Sequence, residues 1–98
     1  MTMQKTQNGT DLAIALEGRL DTMTAPELEA ELKQSLDAAQ TLTLDFSKLD
    51  YISSAGLRVL LSAHKTMAPK GGMKVTNVNE IVREVFEVTG FADILTIE

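Results

Sequence analysis

The sequence predicts an α/β fold: one mixed, mostly parallel β-sheet that opens with an N-terminal β-hairpin and carries three main helices. Three observations predict it. Apolar residues alternate over residues 12–18 and 41–46, as in strands with one buried face. Elsewhere apolar residues recur at helical spacing behind helix-start signals. The turn signals at Asn8-Gly9, Gly18, residues 69–72 and Gly90 are all short, with no linker and no repeat between them, so residues 1–98 read as one domain.

The elements follow in order. Residues 2–6 are a weak strand candidate, and Asn8-Gly9 suits a tight hairpin turn. In residues 12–18, Leu12, Ile14 and Leu16 share one face. Thr24 and Glu27 then form a potential capping box, and Pro26 suits a first helical turn. Leu28, Leu32, Leu36 and Ala39 make the buried stripe of that helix. Residues 41–46 place Leu42, Leu44 and Phe46 on one strand face. Residues 54–68 read as a helix with Leu57, Leu60, Leu61 and either Met67 or Ala68 inward, and residues 69–72 stop it. Residues 73–76 are a short strand. Asn77 and Glu80 look like a second capping box, followed by an apolar stripe of Ile81, Val82, Val85 and Phe86. Gly90 ends this helix, and residues 94–97 are a last strand. The expected core unites Leu44, Leu57, Leu61, Val85 and Phe86.

Composition narrows the function. Hydrophobic residues at 44% and charged residues at 23% fit an ordered domain and not a disordered tail. The absence of cysteine removes disulfides, thiolate metal sites and a cysteine nucleophile. The net charge of −5, with scattered bases, argues against nucleic-acid binding. No apolar run has the length of a signal peptide or a membrane helix, so a cytoplasmic protein without membrane insertion is expected.

In sheets of this kind, sites lie beyond the carboxyl ends of the strands. Residues 19–23 and 47–54 are expected there. The second holds Ser53 and Ser54 where the chain enters a helix. Two readings are open: either a serine caps the helix, or it accepts a phosphate, which a helix N-terminus tolerates well. Asp21 is either an acid beside that site or a loop cap. Asp45 is expected to bind loop amides. Gly56 is expected to let backbones approach closely. Catalysis finds little support. The sole histidine, His64, follows Ser54 by ten positions on one helix, on the order of 15 Å away, which is too far for a base. A lone histidine without cysteines makes a poor metal site.

The segment LTLDFSKLDYISSAGLRVLL, residues 42–61, resembles the signature of the STAS domains, and most closely that of the bacterial anti-sigma-factor antagonists. LEGRLDTMTAPELEAEL, residues 16–32, resembles their second strand, acidic loop and first helix, and VNEIVREVFEVTGFADILTI, residues 78–97, their C-terminal helix and last strand. The resemblance implies a STAS-like fold and a binding switch, not an enzyme. It implies that an anti-sigma factor, itself a serine kinase, binds the unmodified chain, releases its sigma factor and phosphorylates the chain. Ser54 corresponds to the acceptor, with Ser53 as the alternative, since Ser53 stands where many members carry aspartate. Arg58 stands where several carry a small residue. The implied partner-binding residues are Asp21, Thr22, Asp50, Ser53, Ser54, Gly56, Leu57 and Arg58. No cofactor is expected, because ATP belongs to the partner. A monomer or weak homodimer is expected. A STAS interaction subunit of a lipid-transport or signalling complex, without phosphorylation, is the alternative.

Overall fold

The computed structural model describes all residues, 1–98. The elements are β1 (Thr2–Asn8), β2 (Asp11–Leu20), α1 (Ala25–Ser35), β3 (Thr41–Ile52), α2 (Ser54–Met67), β4 (Met73–Thr76), α3 (Glu80–Thr89) and β5 (Thr96–Ile97). Short 3-10 turns at Leu36–Ala38 and Phe91–Asp93 follow α1 and α3. The strands lie in the sheet in chain order, with β1 antiparallel to β2 and every later neighbour parallel. The expected order and hairpin are those observed.

Sequential order has a physical consequence. Right-handed crossovers that always step in one direction put every helix on the same face of the sheet. The core therefore forms on one face. Ile14, Leu44, Phe46 and Val75 of the sheet are fully buried there, against Leu28 of α1, Leu60 and Met67 of α2, and Val82 and Phe86 of α3. All belong to one cluster of 24 buried residues. On the other face Ala13, Ala15, Thr43 and Asp45 are only half-buried. The edge strand β1 is mostly exposed, and Lys5 ties it to α1 through Glu31 at 3.1 Å. A lysine there also discourages pairing with another chain.

Several local expectations are corrected. β3 does not stop at Phe46 but runs to Ile52, because two register shifts against β2 each add one residue to it. These bulges reset the phase of the alternation, so Leu49 and Ile52 point inward after Phe46. Leu61 is only half-buried and lies outside the core cluster. The buried face of α2 is Gly56, Leu57, Val59, Leu60, Ala63 and Met67, which turns Leu61 and Ala68 away. Ile81 is 60% exposed, and Val85 packs against the core only in part. Ile94 and Leu95 lie outside β5.

The caps also differ. Thr24 makes no side-chain cap bond to α1. Its hydroxyl donates to the Arg19 carbonyl at 2.7 Å and accepts from the Asp21 amide at 2.8 Å. At α3 the cap is Asn79 and not Asn77: Asn79 accepts from the Val82 amide at 2.8 Å and donates to the Leu49 carbonyl at 2.8 Å. Asn77 instead takes a left-handed backbone, φ 58°, which asparagine tolerates better than most residues. Lys70, within the stop signal, donates to the Leu36 and Ala39 carbonyls at 2.7 and 3.1 Å and so closes the end of the α1 segment.

Candidate protein-binding site

The carboxyl ends of β2 and β3 meet where Leu20 pairs with Ile52. Each chain then leaves the sheet toward a helix, β2 into α1 and β3 into α2. The Ser53 amide donates to the Leu20 carbonyl at 2.9 Å and holds the two exits together. Gly56 lies beneath the first turn of α2. A Cβ at that position would stand 2.8 Å from both Ile52 Cγ1 and Leu20 Cγ, so only glycine lets the helix start sit this close to the sheet. Leu57, 5% exposed, anchors the same turn from below. Gly56 and Leu57 therefore position the helix start and offer little surface of their own.

Asp21 builds the neighbouring loop. Its Oδ1 accepts from the Met23 amide at 3.0 Å and the Thr24 amide at 3.1 Å, and its carbonyl accepts from the Ala25 amide at 2.8 Å. Partial loss of hydration pushes its carboxyl up. The Thr24 and Met23 amides, the Thr24 hydroxyl and the Arg19 charge outweigh that, and its pKa falls below the ordinary aspartate value. Arg19 sits 3.7 Å from Asp21 Oδ2 and stacks over the Tyr51 ring at 4.5 Å. The loop is thus held rigidly. Thr22 and Met23 are exposed on it, Met23 by 82%.

Ser53 occupies the N-cap position of α2 with an extended backbone, yet no side-chain cap bond forms. Its Oγ is buried without a partner. Ser54 is the first residue of α2 and is exposed. Arg58 is exposed one turn later. A shallow groove between α1 and α2 is lined by Thr22, Pro26, Glu29, Ala55 and Arg58 among others. Asp50 is exposed at the second bulge of β3, two residues before Ile52. The fold thus gathers Asp21, Thr22, Ser53, Ser54 and Arg58 at one end of the sheet, over a floor of Gly56 and Leu57.

Topology places residues 19–23 at this end of the sheet, but no pattern in the sequence singles out Met23 or the Arg19–Tyr51 stack within it. Met23 falls outside every apolar periodicity, and a large apolar residue in a turn fixed by an aspartate was the available signal. Asp45 lies apart from this cluster. Its Oδ1 accepts from the Ser47 amide at 2.9 Å and from Asn77 Nδ2 at 3.0 Å, joining β3 to the end of β4.

Two predictions arise here. Replacing Ser53 by alanine deletes a hydroxyl that bonds nothing, so the cost should stay below about 0.5 kcal/mol, against about 1 kcal/mol for losing a working cap. Chemical denaturation of the two proteins measures the difference. Asp45 gives a pH dependence. The Asn77 side chain first, then the Ser47 amide, hold its carboxyl below the reference value of 3.8 despite partial desolvation. A lowered folded pKa stabilises the fold above the unfolded value, and the benefit is lost as pH falls through the folded one. The melting temperature of wild type should therefore exceed that of Asp45→Ala near pH 7, and the gap should shrink near pH 3.

A five-stranded sheet in sequential order, with an antiparallel first pair and parallel neighbours after it, defines a small one-sided α/β domain. The chain belongs to the STAS domain family: the family described as "Mlab, STAS domain" matches residues 3–96. It is 40% identical to BtrV of Bordetella bronchiseptica, named provisionally as an anti-sigma factor antagonist, over 88% of this chain and 76% of that protein. It is 29% identical to the anti-sigma-B factor antagonist of Bacillus subtilis, over 93% of this chain and 84% of that protein. The fold is similar to that of the anti-sigma factor antagonist SpoIIAA in its unphosphorylated form, with TM-score 0.85 and 21% identity over 99% of this chain and 88% of that one. Phosphorylated SpoIIAA gives a TM-score of 0.76 at 20% identity, over 99% and 91%.

Proposed function

We propose that this chain is an anti-sigma factor antagonist: it binds a kinase-type anti-sigma factor in the cytoplasm, displaces the sigma factor, and is switched off when that kinase phosphorylates Ser54. The observation that carries the reading is Ser54 itself. It is an exposed hydroxyl at the first position of α2 with no capping duty, beside the loop that Asp21 holds rigid. The relatives' names support the antagonist role. Ser54 is favoured over Ser53 as acceptor because the Ser53 hydroxyl is buried.

The chemistry belongs to the partner. Ser54 Oγ attacks the γ-phosphorus of ATP held by the kinase, and a new O–P bond forms. The bond to the β-phosphate oxygen breaks, ADP leaves, and the hydroxyl proton passes to a base of the kinase. This chain supplies an exposed acceptor and helix amides that accommodate the product's charge.

The test is incubation of the full chain with ATP and each anti-sigma kinase of the source organism, followed by mapping of the phosphate. One phosphate at Ser54, absent from Ser54→Ala, is the expected result. Phosphate at Ser53 would overturn the assignment of the acceptor. Stable capture of a partner with no label from any kinase would replace this reading with that of a STAS interaction subunit that works without phosphorylation.

A further inference from the structure

We infer that Arg58 is the internal receptor for the phosphate on Ser54: the modified serine pairs with the guanidinium one turn along the same helix. The inference rests on Ser54 being the acceptor, and it adds a regulatory residue to that site.

The geometry comes from the helix. Arg58 stands four residues after Ser54 in α2, and both are exposed. Side chains at this spacing are neighbours on a helix surface. Each Cα–Cβ bond in a helix tilts toward the N-terminus, so Arg58 reaches back over the turn that holds Ser54. The order is also favourable, with the anion N-terminal to the cation.

Arg58 is free to act. The ion pairs of the chain are Lys5–Glu31, Arg19–Asp21, Lys33–Glu29 and Lys74–Glu98, and none uses Arg58. Glu29, the one acid in its groove, is engaged by Lys33 at 3.5 Å. Asp21 of the adjacent loop is held by Arg19 and by backbone amides. A guanidinium fork suits a phosphate, which presents several oxygens. The phosphate would also meet the free amides of the first turn.

The pair has a functional meaning. Before modification this face offers a partner one free cation. Afterwards the cation is consumed by a phosphate of nearly two negative charges, and the face is a net anion. Phosphorylation thus removes one contact as it adds a repulsion.

The test installs phosphoserine at position 54 during translation, in the full chain and in Arg58→Gln and Arg58→Lys, and follows the phosphorus resonance against pH. An unpaired phosphoserine titrates near pH 6. With Arg58 present the midpoint should lie lower than in Arg58→Gln by roughly 0.3 unit or more. Arg58→Lys should fall between them, because it keeps the charge and loses the fork. The Arg58 Nε–H resonance should also shift when the phosphate is installed. Superimposed titration curves for wild type and a folded Arg58→Gln protein would overturn the pair. No kinase takes part, so this result is independent of the acceptor test. Failure of labelling at Ser54 sinks the proposed function and with it the regulatory meaning of the pair, whereas equal titrations sink the pair and leave the acceptor assignment standing.

Discussion

Truncating Phe86 to alanine should destabilise the chain by about 3 to 5 kcal/mol, the range for deleting a large aromatic from a core. Phe86 is fully buried on α3 and faces Phe46 of β3 with ring centroids 6.4 Å apart. The pairing adds to the cavity term, because Phe46 loses its partner as well. Few other side chains join α3 to the sheet: Val82 is the only other fully buried residue of that helix. Repacking is therefore limited, and the upper part of the range applies. Domains of this size hold about 5 to 15 kcal/mol in total, so the variant should sit near its folding threshold at room temperature. Urea titration measures the change as a lower midpoint with a similar slope. A loss below about 1 kcal/mol would mean that α3 contributes little to the core. Leu61→Ala provides the contrast: Leu61 is half-buried outside the cluster, so it should cost much less.

That contrast marks where the sequence was readable. Strict alternation in β2 and in the first half of β3 specifies both strands and the face they bury, since a one-residue slip would turn Leu42, Leu44 and Phe46 to solvent. The order of elements then fixes a one-sided sheet. The second half of β3 was hidden because its apolar residues, Phe46, Leu49 and Ile52, recur every three positions. A period of three matches no strand unless two bulges are inserted, and bulges leave no local signature in residues 47–51. Leu61 departs from the expected core for a related reason. Adjacent leucines at 60 and 61 differ by about 100° around a helix, and tertiary packing alone chooses between them. The choice of cap for α3 is of the same kind. Asn77 and Asn79 have equal intrinsic merit as caps, and the Asp45 carboxylate settles the matter by binding Asn77.

The site was legible in composition and less so in roles. Ser53, Ser54, Asp21 and Thr22 were placed at one end of the sheet by topology alone, and they lie there. Pattern could not divide the labour between the serines. Ser53 takes the N-cap position and buries its hydroxyl, while Ser54 faces solvent. That division depends on the Ser53 amide reaching the Leu20 carbonyl, a contact between residues 33 positions apart. For Arg58 the resemblance implies a partner contact at a position where several members carry a small residue, and nothing in the pattern ties it to Ser54. Its spacing from Ser54 was present in the sequence, and its lack of an ion pair was not.

Replacing Ser54 by aspartate should weaken partner binding by more than a hundredfold while the fold remains intact. The two effects separate because they act on different states. In the isolated chain the new carboxylate lies in the first turn of α2, where a negative charge is favourable. No cap is lost, since the N-cap position belongs to Ser53 and not to Ser54. The melting temperature should stay within a degree or two of wild type, as expected for an exposed substitution worth under about 0.5 kcal/mol. The proposed complex has the partner over the helix start, where the carboxylate would be desolvated or set against a like charge. Such juxtapositions cost several kcal/mol. A loss of about 3 kcal/mol is a factor above one hundred in Kd. Ser54→Ala removes the acceptor and adds no charge, so it should bind as wild type does and resist inactivation by ATP. The phosphate itself should exceed the effect of aspartate, because it carries more charge and consumes Arg58. Calorimetric titration of the anti-sigma factor with the three proteins distinguishes the outcomes. A folded Ser54→Asp protein that binds as tightly as wild type would place the partner elsewhere on the domain. Weak binding by Ser54→Ala as well would make the hydroxyl a direct contact and not a switch.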